Sequence, residues 1–72
     1  MNVEITKKSI NIRYIKQLRE KNHLSQTQVS KLIGLTSPDK YNRRENGDFN
    51  FQATELQALS QLFNVKMENF FF

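Results

Sequence analysis

The sequence predicts an all-α fold, a compact domain of five helices behind a short N-terminal arm, and three observations carry that expectation. Apolar residues recur at three- and four-residue intervals through most of the chain, the period of helices that bury one side. Serine or asparagine stands just ahead of the first three of these runs, as an N-cap does. Gly34 and Gly47 stand just behind two of them, where a helix stops in a left-handed backbone that glycine adopts at no steric cost.

Residues 1–8 are the arm, either extended through Val3 and Ile5 or a disordered tail, and residues 9–72 are the domain. The first helix starts near Ser9 or Asn11, either able to cap, and turns Ile12, Ile15 and Leu18 inward before Asn22 and His23 end it. His23 is expected to be an exposed turn residue. It is the chain's one histidine and there is no cysteine, so no metal is expected. Ser25 caps the second helix, and Gln28, three positions on, can return a bond to the cap's own N–H, which makes a capping box. Val29, Leu32 and Ile33 form its apolar side, and Gly34 ends it. Ser37 is suited to cap the third helix, Pro38 to fill its first position, and Asp39 to meet the positive end of its dipole. That helix runs to about Asn46, with Asn46-Gly47 as its stop. Tyr41 and Glu45 share its packing face, while Asp39, Lys40 and Arg43 share the other.

After the loop DFNF a fourth helix is expected from about Gln52 to Phe63, with Leu56, Leu59 and Phe63 buried and its entry stapled by Phe49 or Phe51. Asn64-Val65 breaks the period. Lys66 to Phe71 is then expected as a short fifth helix in which Val65, Met67 and Phe70 or Phe71 close the core. Three successive phenylalanines, Phe70 to Phe72, cannot all face inward from one helix. At least one is therefore exposed, as a frayed apolar terminus or as the contact of a homodimer.

Length and charge narrow the function. A chain of 72 residues makes one domain burying roughly 60 % of its unfolded surface, too little for an enclosed active site as well. A large enzyme is excluded, and there is no paired-carboxylate pocket or nucleophile with a base. The chain has no cysteine, which removes disulfides and thiolate zinc sites and fits a cytoplasmic location. No apolar run approaches the ~18 residues needed to span a bilayer, and MNVEITKKS lacks the apolar core of a secretory signal. The net charge of +4 is unevenly spread: Met1 to Gly47 holds ten Lys or Arg against four acids, and Asp48 to Phe72 holds one against three. A basic face of that kind suits a polyanion. A membrane surface is disfavoured, because no basic helix keeps a broad leucine and aromatic face once the core is satisfied.

Two short helices joined by a turn, the second with its basic residues outward, form the pattern by which a helix-turn-helix reads double-stranded DNA. On that pattern Lys40 and Arg43 enter the major groove, where their donors match guanine. Ser37, Asp39 and Asn42 flank them: Asn42 meets adenine or a phosphate, and Asp39 accepts from cytosine or orients Lys40 and Arg43. Gln26 at the start of the second helix is expected to touch a phosphate and set register, with Lys31 and Asn46 as further phosphate contacts. Arg44 falls between the two faces and is open to phosphate contact or to structural pairing. Lys7, Lys8, Arg13 and Lys16 are a second basic group, tracking a neighbouring groove or simply solvated.

The order Arg19, LSQ at Leu24 to Gln26, Gly34 and ENG at Glu45 to Gly47 resembles the Xre/Cro group of phage-repressor-type helix-turn-helix domains, over roughly Ile12 to Phe71. The resemblance implies an ion pair inside the domain between Arg19 and Glu45 that locks the recognition helix. It also implies a base-reading position for Arg43 and a core position for Tyr41, whose hydroxyl is expected to stay near solvent. Two features depart from the family pattern: one extra residue between Gly34 and Glu45, and Ser30 where alanine is usual, small enough to let two helices approach. The resemblance implies a transcriptional repressor, acting as two copies on a near-palindromic site; no cofactor or small-molecule ligand is evident in the sequence. The alternative is a protein-interaction module of the same fold, such as an antitoxin or a phage accessory factor.

Overall fold

The computed structural model describes residues 8–72; the arm's Val3, Ile5 and Lys7 lie outside the described residues. Four helices follow one another, α1 (Ile12–Lys21), α2 (Gln26–Leu32), α3 (Pro38–Glu45) and α4 (Ala53–Phe63), and a 3-10 turn, Met67–Phe70, closes the domain. The all-α class is as the sequence predicts. The expected fifth helix is present as that 3-10 turn, shorter than Lys66 to Phe71, for a local reason. Phe70 is fully buried, while Phe71 pairs with Ile10 in an isolated antiparallel bridge flanked by Asn11 N–H to Phe70 O (2.6 Å) and Phe72 N–H to Ser9 O (3.1 Å). The backbone must pass from helical to extended within one residue, and a tight 3-10 turn does this.

Helix starts follow the capping residues with one exception. Asn11 caps α1 by accepting from Tyr14 N–H at 3.2 Å. Around α2 the capping box is complete, with Gln28 N–H to Ser25 Oγ (3.0 Å) and Ser25 N–H to Gln28 Oε1 (2.8 Å). Ser37 occupies the N-cap of α3, but its side chain makes no capping bond. Its carbonyl instead accepts from Ser30 Oγ–H at 2.9 Å.

Three helices stop in the same way. His23, Gly34 and Gly47 each adopt positive φ (57°, 83° and 86°). Each donates its N–H to the carbonyl three residues back, and its successor donates to the carbonyl five back: Leu24 to Arg19, Leu35 to Ser30 and Asp48 to Arg43. This is the Schellman arrangement, which satisfies carbonyls the helix end would otherwise leave unpaired. At Gly47 the left-handed φ is what calls for glycine, since a Cβ there would meet only the tip of Ile12, Cδ1, at 3.4 Å.

Ile15, Val29, Tyr41, Phe51, Leu56, Leu59, Phe63 and Phe70 form the core, each contributing about 1.5–3 kcal/mol by leaving water. α3 packs chiefly on α2 and also on α1, while the 3-10 turn packs on α4 and α1. Leu32, expected inside, is 58 % exposed. The buried side of α2 runs instead through Val29 and Ser30, with Ile33 half-buried, because the helix is turned to bring its smallest residue against the start of α3. Phe51, not Phe49, staples α4, since Phe51 and Leu56, at the two stapling positions, are both buried. Of the terminal phenylalanines Phe70 is buried, Phe71 half-buried and Phe72 exposed, so the apolar surface expected over Phe70 to Phe72 lies mainly at the last residue.

Candidate nucleic-acid interface

α3 presents two unlike sides. Tyr41 and Glu45 point into the core, while Asp39, Lys40 and Arg43 are exposed. What holds the helix in that orientation is a set of polar contacts reaching back to α1 and α2. Arg19 donates through Nε to Glu45 Oε2 (2.9 Å) and through Nη2 to Oε1 (2.8 Å), while its Nη1 donates to Leu24 O (3.0 Å). The planar fork of guanidinium on carboxylate fixes both distance and rotation. The side chains are 12 % and 1 % exposed, so either charge left alone would be costly.

Burial by itself pushes the Glu45 carboxyl up, but hydrogen bonds from Arg19 and Gln26, together with the adjacent Tyr41 hydroxyl, outweigh it and hold Glu45 below its ordinary value. The hydrogen bond to Glu45, set against burial, keeps the Arg19 guanidinium charged beyond its ordinary range. Tyr41 departs from expectation. Its hydroxyl is buried and makes no hydrogen bond of acceptable geometry, and burial first, then the neighbouring carboxylate, raises its ionisation well above the ordinary tyrosine value. The ring packs edge-on to Phe51 at 6.0 Å between centroids. That tilt leaves the hydroxyl inside beside Glu45 rather than at the surface.

A second chain of contacts runs outward from Glu45. Gln26 Nε2 donates to Glu45 Oε1 (3.2 Å), Asn42 Nδ2 donates to Gln26 Oε1 (3.0 Å), and Asn46 Nδ2 donates to Asn42 Oδ1 (3.1 Å). Gln26 and Asn42, from the two halves of the helix pair, thus touch each other, and each keeps one amide hydrogen for another partner. Arg44 realises the structural one of its two open roles. Its Nε donates to Glu55 Oε1 at 2.7 Å and its Nη1 to Lys40 O at 2.9 Å, with both side chains of the pair largely buried.

Arg43 is exposed but not loose. Its Nε donates to Asp39 Oδ2 at 2.9 Å, and its guanidinium lies 5.6 Å from the Phe49 ring centroid. Lys31 and Lys40 are exposed on α2 and α3, and Ser37 is half-buried at the turn between these helices. An open cleft beside Lys40 is lined by Arg44, Phe49, Asn50 and Gln52. Among the described residues no group of three or more His, Cys, Asp or Glu is arranged to hold a metal ion, and no helix is long and apolar enough to cross a membrane.

Sequence reasoning missed three residues that shape this surface. Ser30 reads as a small spacer, yet its hydroxyl ties α2 to the backbone of Ser37. Glu55 accepts from Gln52 N–H (2.9 Å) as well as from Arg44; its spacing three after a cap is the signal that could have found the first of these bonds. Phe49 reads as a candidate staple for the fourth helix, and nothing in its sequence position announces the arginine beneath it. Compared with known families, residues 15–70 match a model described as helix-turn-helix. No curated protein matches the chain.

Proposed function

Since the chain belongs to the Xre/Cro-like helix-turn-helix family, a family of DNA-binding regulators matched over residues 15–70, we propose that it is a sequence-specific transcriptional repressor that reads the major groove with α3. One observation carries this: α3 is pinned from behind by Tyr41 and the Arg19–Glu45 pair while Lys40 and Arg43 stand exposed in front. A rigid helix with exposed cations on one side suits base edges bearing acceptors.

The contacts divide by type. Arg43 and Lys40 read base edges, and Asn42 offers its remaining amide hydrogen beside them. Ser37 and Asp39 flank the reading residues at the N-terminal end of α3. Gln26, through its free amide hydrogen, and the exposed Lys31 and Asn46 meet phosphates and set register. Binding by two copies requires half-sites about 10 bp apart, or a multiple of that spacing, and Phe72 is the apolar contact offered for such a pair. The protein acts in the cytoplasm, and no reaction or cofactor belongs to the role.

Selection of bound duplexes from a random pool tests this reading. Enrichment of a defined motif is the expected result, with affinity falling steeply as salt rises because neutralised phosphates release counterions. A pool that stays random after repeated rounds would overturn it.

A further inference from the structure

Arg43 is held from two sides by residues whose positions α3 itself dictates. Asp39, one turn earlier, takes Nε at 2.9 Å. Phe49 arrives through the helix stop: Gly47 turns left-handed at φ 86°, and the Arg43 carbonyl accepts from both Asp48 N–H (2.8 Å) and Phe49 N–H (3.3 Å). The backbone of Arg43 thereby fixes the loop that carries Phe49, and the Phe49 ring in turn lies 5.6 Å from the Arg43 guanidinium. Among the described residues the two η nitrogens of Arg43 have no hydrogen-bond partner. They remain as an unengaged fork, the shape that matches O6 and N7 of guanine.

We infer that Phe49, a loop residue outside the recognition helix, acts with Asp39 as a positioning residue that aims Arg43 at one guanine and so sets specificity at that base pair. The inference deepens the DNA-binding role and rests on it. Phe49 is 53 % exposed and Asp39 and Arg43 are more than half exposed as well, so their contacts add little to folding. An aromatic face and a carboxylate together remove rotamers in which the arginine would wander to a phosphate. Asp39 also sets a negative charge where DNA would lie, which opposes binding to any sequence and leaves the matched guanine to compensate.

The test uses the full chain, duplexes carrying the selected motif, and single base-pair changes within it. Arg43→Ala should lower discrimination at one G·C pair by about tenfold or more. Phe49→Leu should lower discrimination at that same pair by about two- to fivefold, with the melting temperature and binding to random duplex unchanged. Phe49→Tyr, which keeps the ring, should retain wild-type discrimination. Asp39→Asn should lower the same ratio while tightening binding to random duplex. If Arg43→Ala relaxes a position but Phe49→Leu and Asp39→Asn leave it intact, the positioning inference falls and the DNA-binding role stands. If Arg43→Ala relaxes no position, the assignment of Arg43 as base reader falls and this inference with it.

Discussion

Glu45 receives both arms of the Arg19 guanidinium at 2.8 and 2.9 Å, across 26 residues of chain. The pair joins the end of α1 to the last turn of α3, so the tilt of the recognition helix is set by a contact on the side away from the proposed DNA. Arg19→Ala should leave Glu45 charged and buried, costing about 3–5 kcal/mol. A domain of this size then melts more than roughly 10 °C lower. Thermal denaturation followed by circular dichroism measures it, and an unchanged melt would show that the pair does not hold α3.

The same pair gives the fold an acid dependence. Glu45 titrates below its ordinary value of 4.5 in the folded protein. Its stabilisation is therefore complete above that ordinary value and is lost as pH falls through the lower, folded one. The gap in melting temperature between the wild type and Glu45→Gln should shrink from about pH 6 to pH 3. A gap that stays constant or widens would mean that the folded protein does not favour the carboxylate.

His23 holds a left-handed backbone at φ 57° in the position that Gly34 and Gly47 fill elsewhere. An L-residue there costs about 1–2 kcal/mol, and glycine returns about 0.5–1 of that through its freer unfolded chain. His23→Gly should raise stability by a few tenths to about 1 kcal/mol, a rise of a few degrees in melting temperature. A lower melting temperature would show that the imidazole makes a stabilising contact.

Tyr41 carries a buried hydroxyl without a well-formed hydrogen bond. Removing such a group relieves a desolvation cost of about 1–3 kcal/mol, offset in part by whatever the hydroxyl gives Glu45. Tyr41→Phe should match or exceed the wild type in urea denaturation. A loss of more than about 1 kcal/mol would show that the hydroxyl donates to Glu45 after all.

Much of this architecture is legible before any coordinates, because it is written locally. Ser25 and Gln28 form a capping box from their spacing alone, and Gly34 and Gly47 end their helices for the reason their type suggests. What escapes the sequence depends on how elements are rotated against one another. Leu32 and Ser30 lie two positions apart on α2, and only the close approach of α3 determines that the serine is buried and the leucine exposed. Arg44 and Glu55 pair across a turn whose shape no spacing rule gives. Phe49 meets Arg43 because the Schellman stop brings the loop back over the helix, a consequence of the backbone path rather than of either residue's type.

The central claim is that the exposed side of α3 reads base sequence while Gln26 seats the helix pair on the backbone. Affinities of the wild type, Arg43→Ala and Gln26→Ala for the selected duplex and its single base-pair variants test it most directly. Arg43→Ala should lose preference at one base pair, and Gln26→Ala should weaken every duplex by a similar factor. Two variants with the same profile, or a wild type that binds all duplexes equally, would contradict the account.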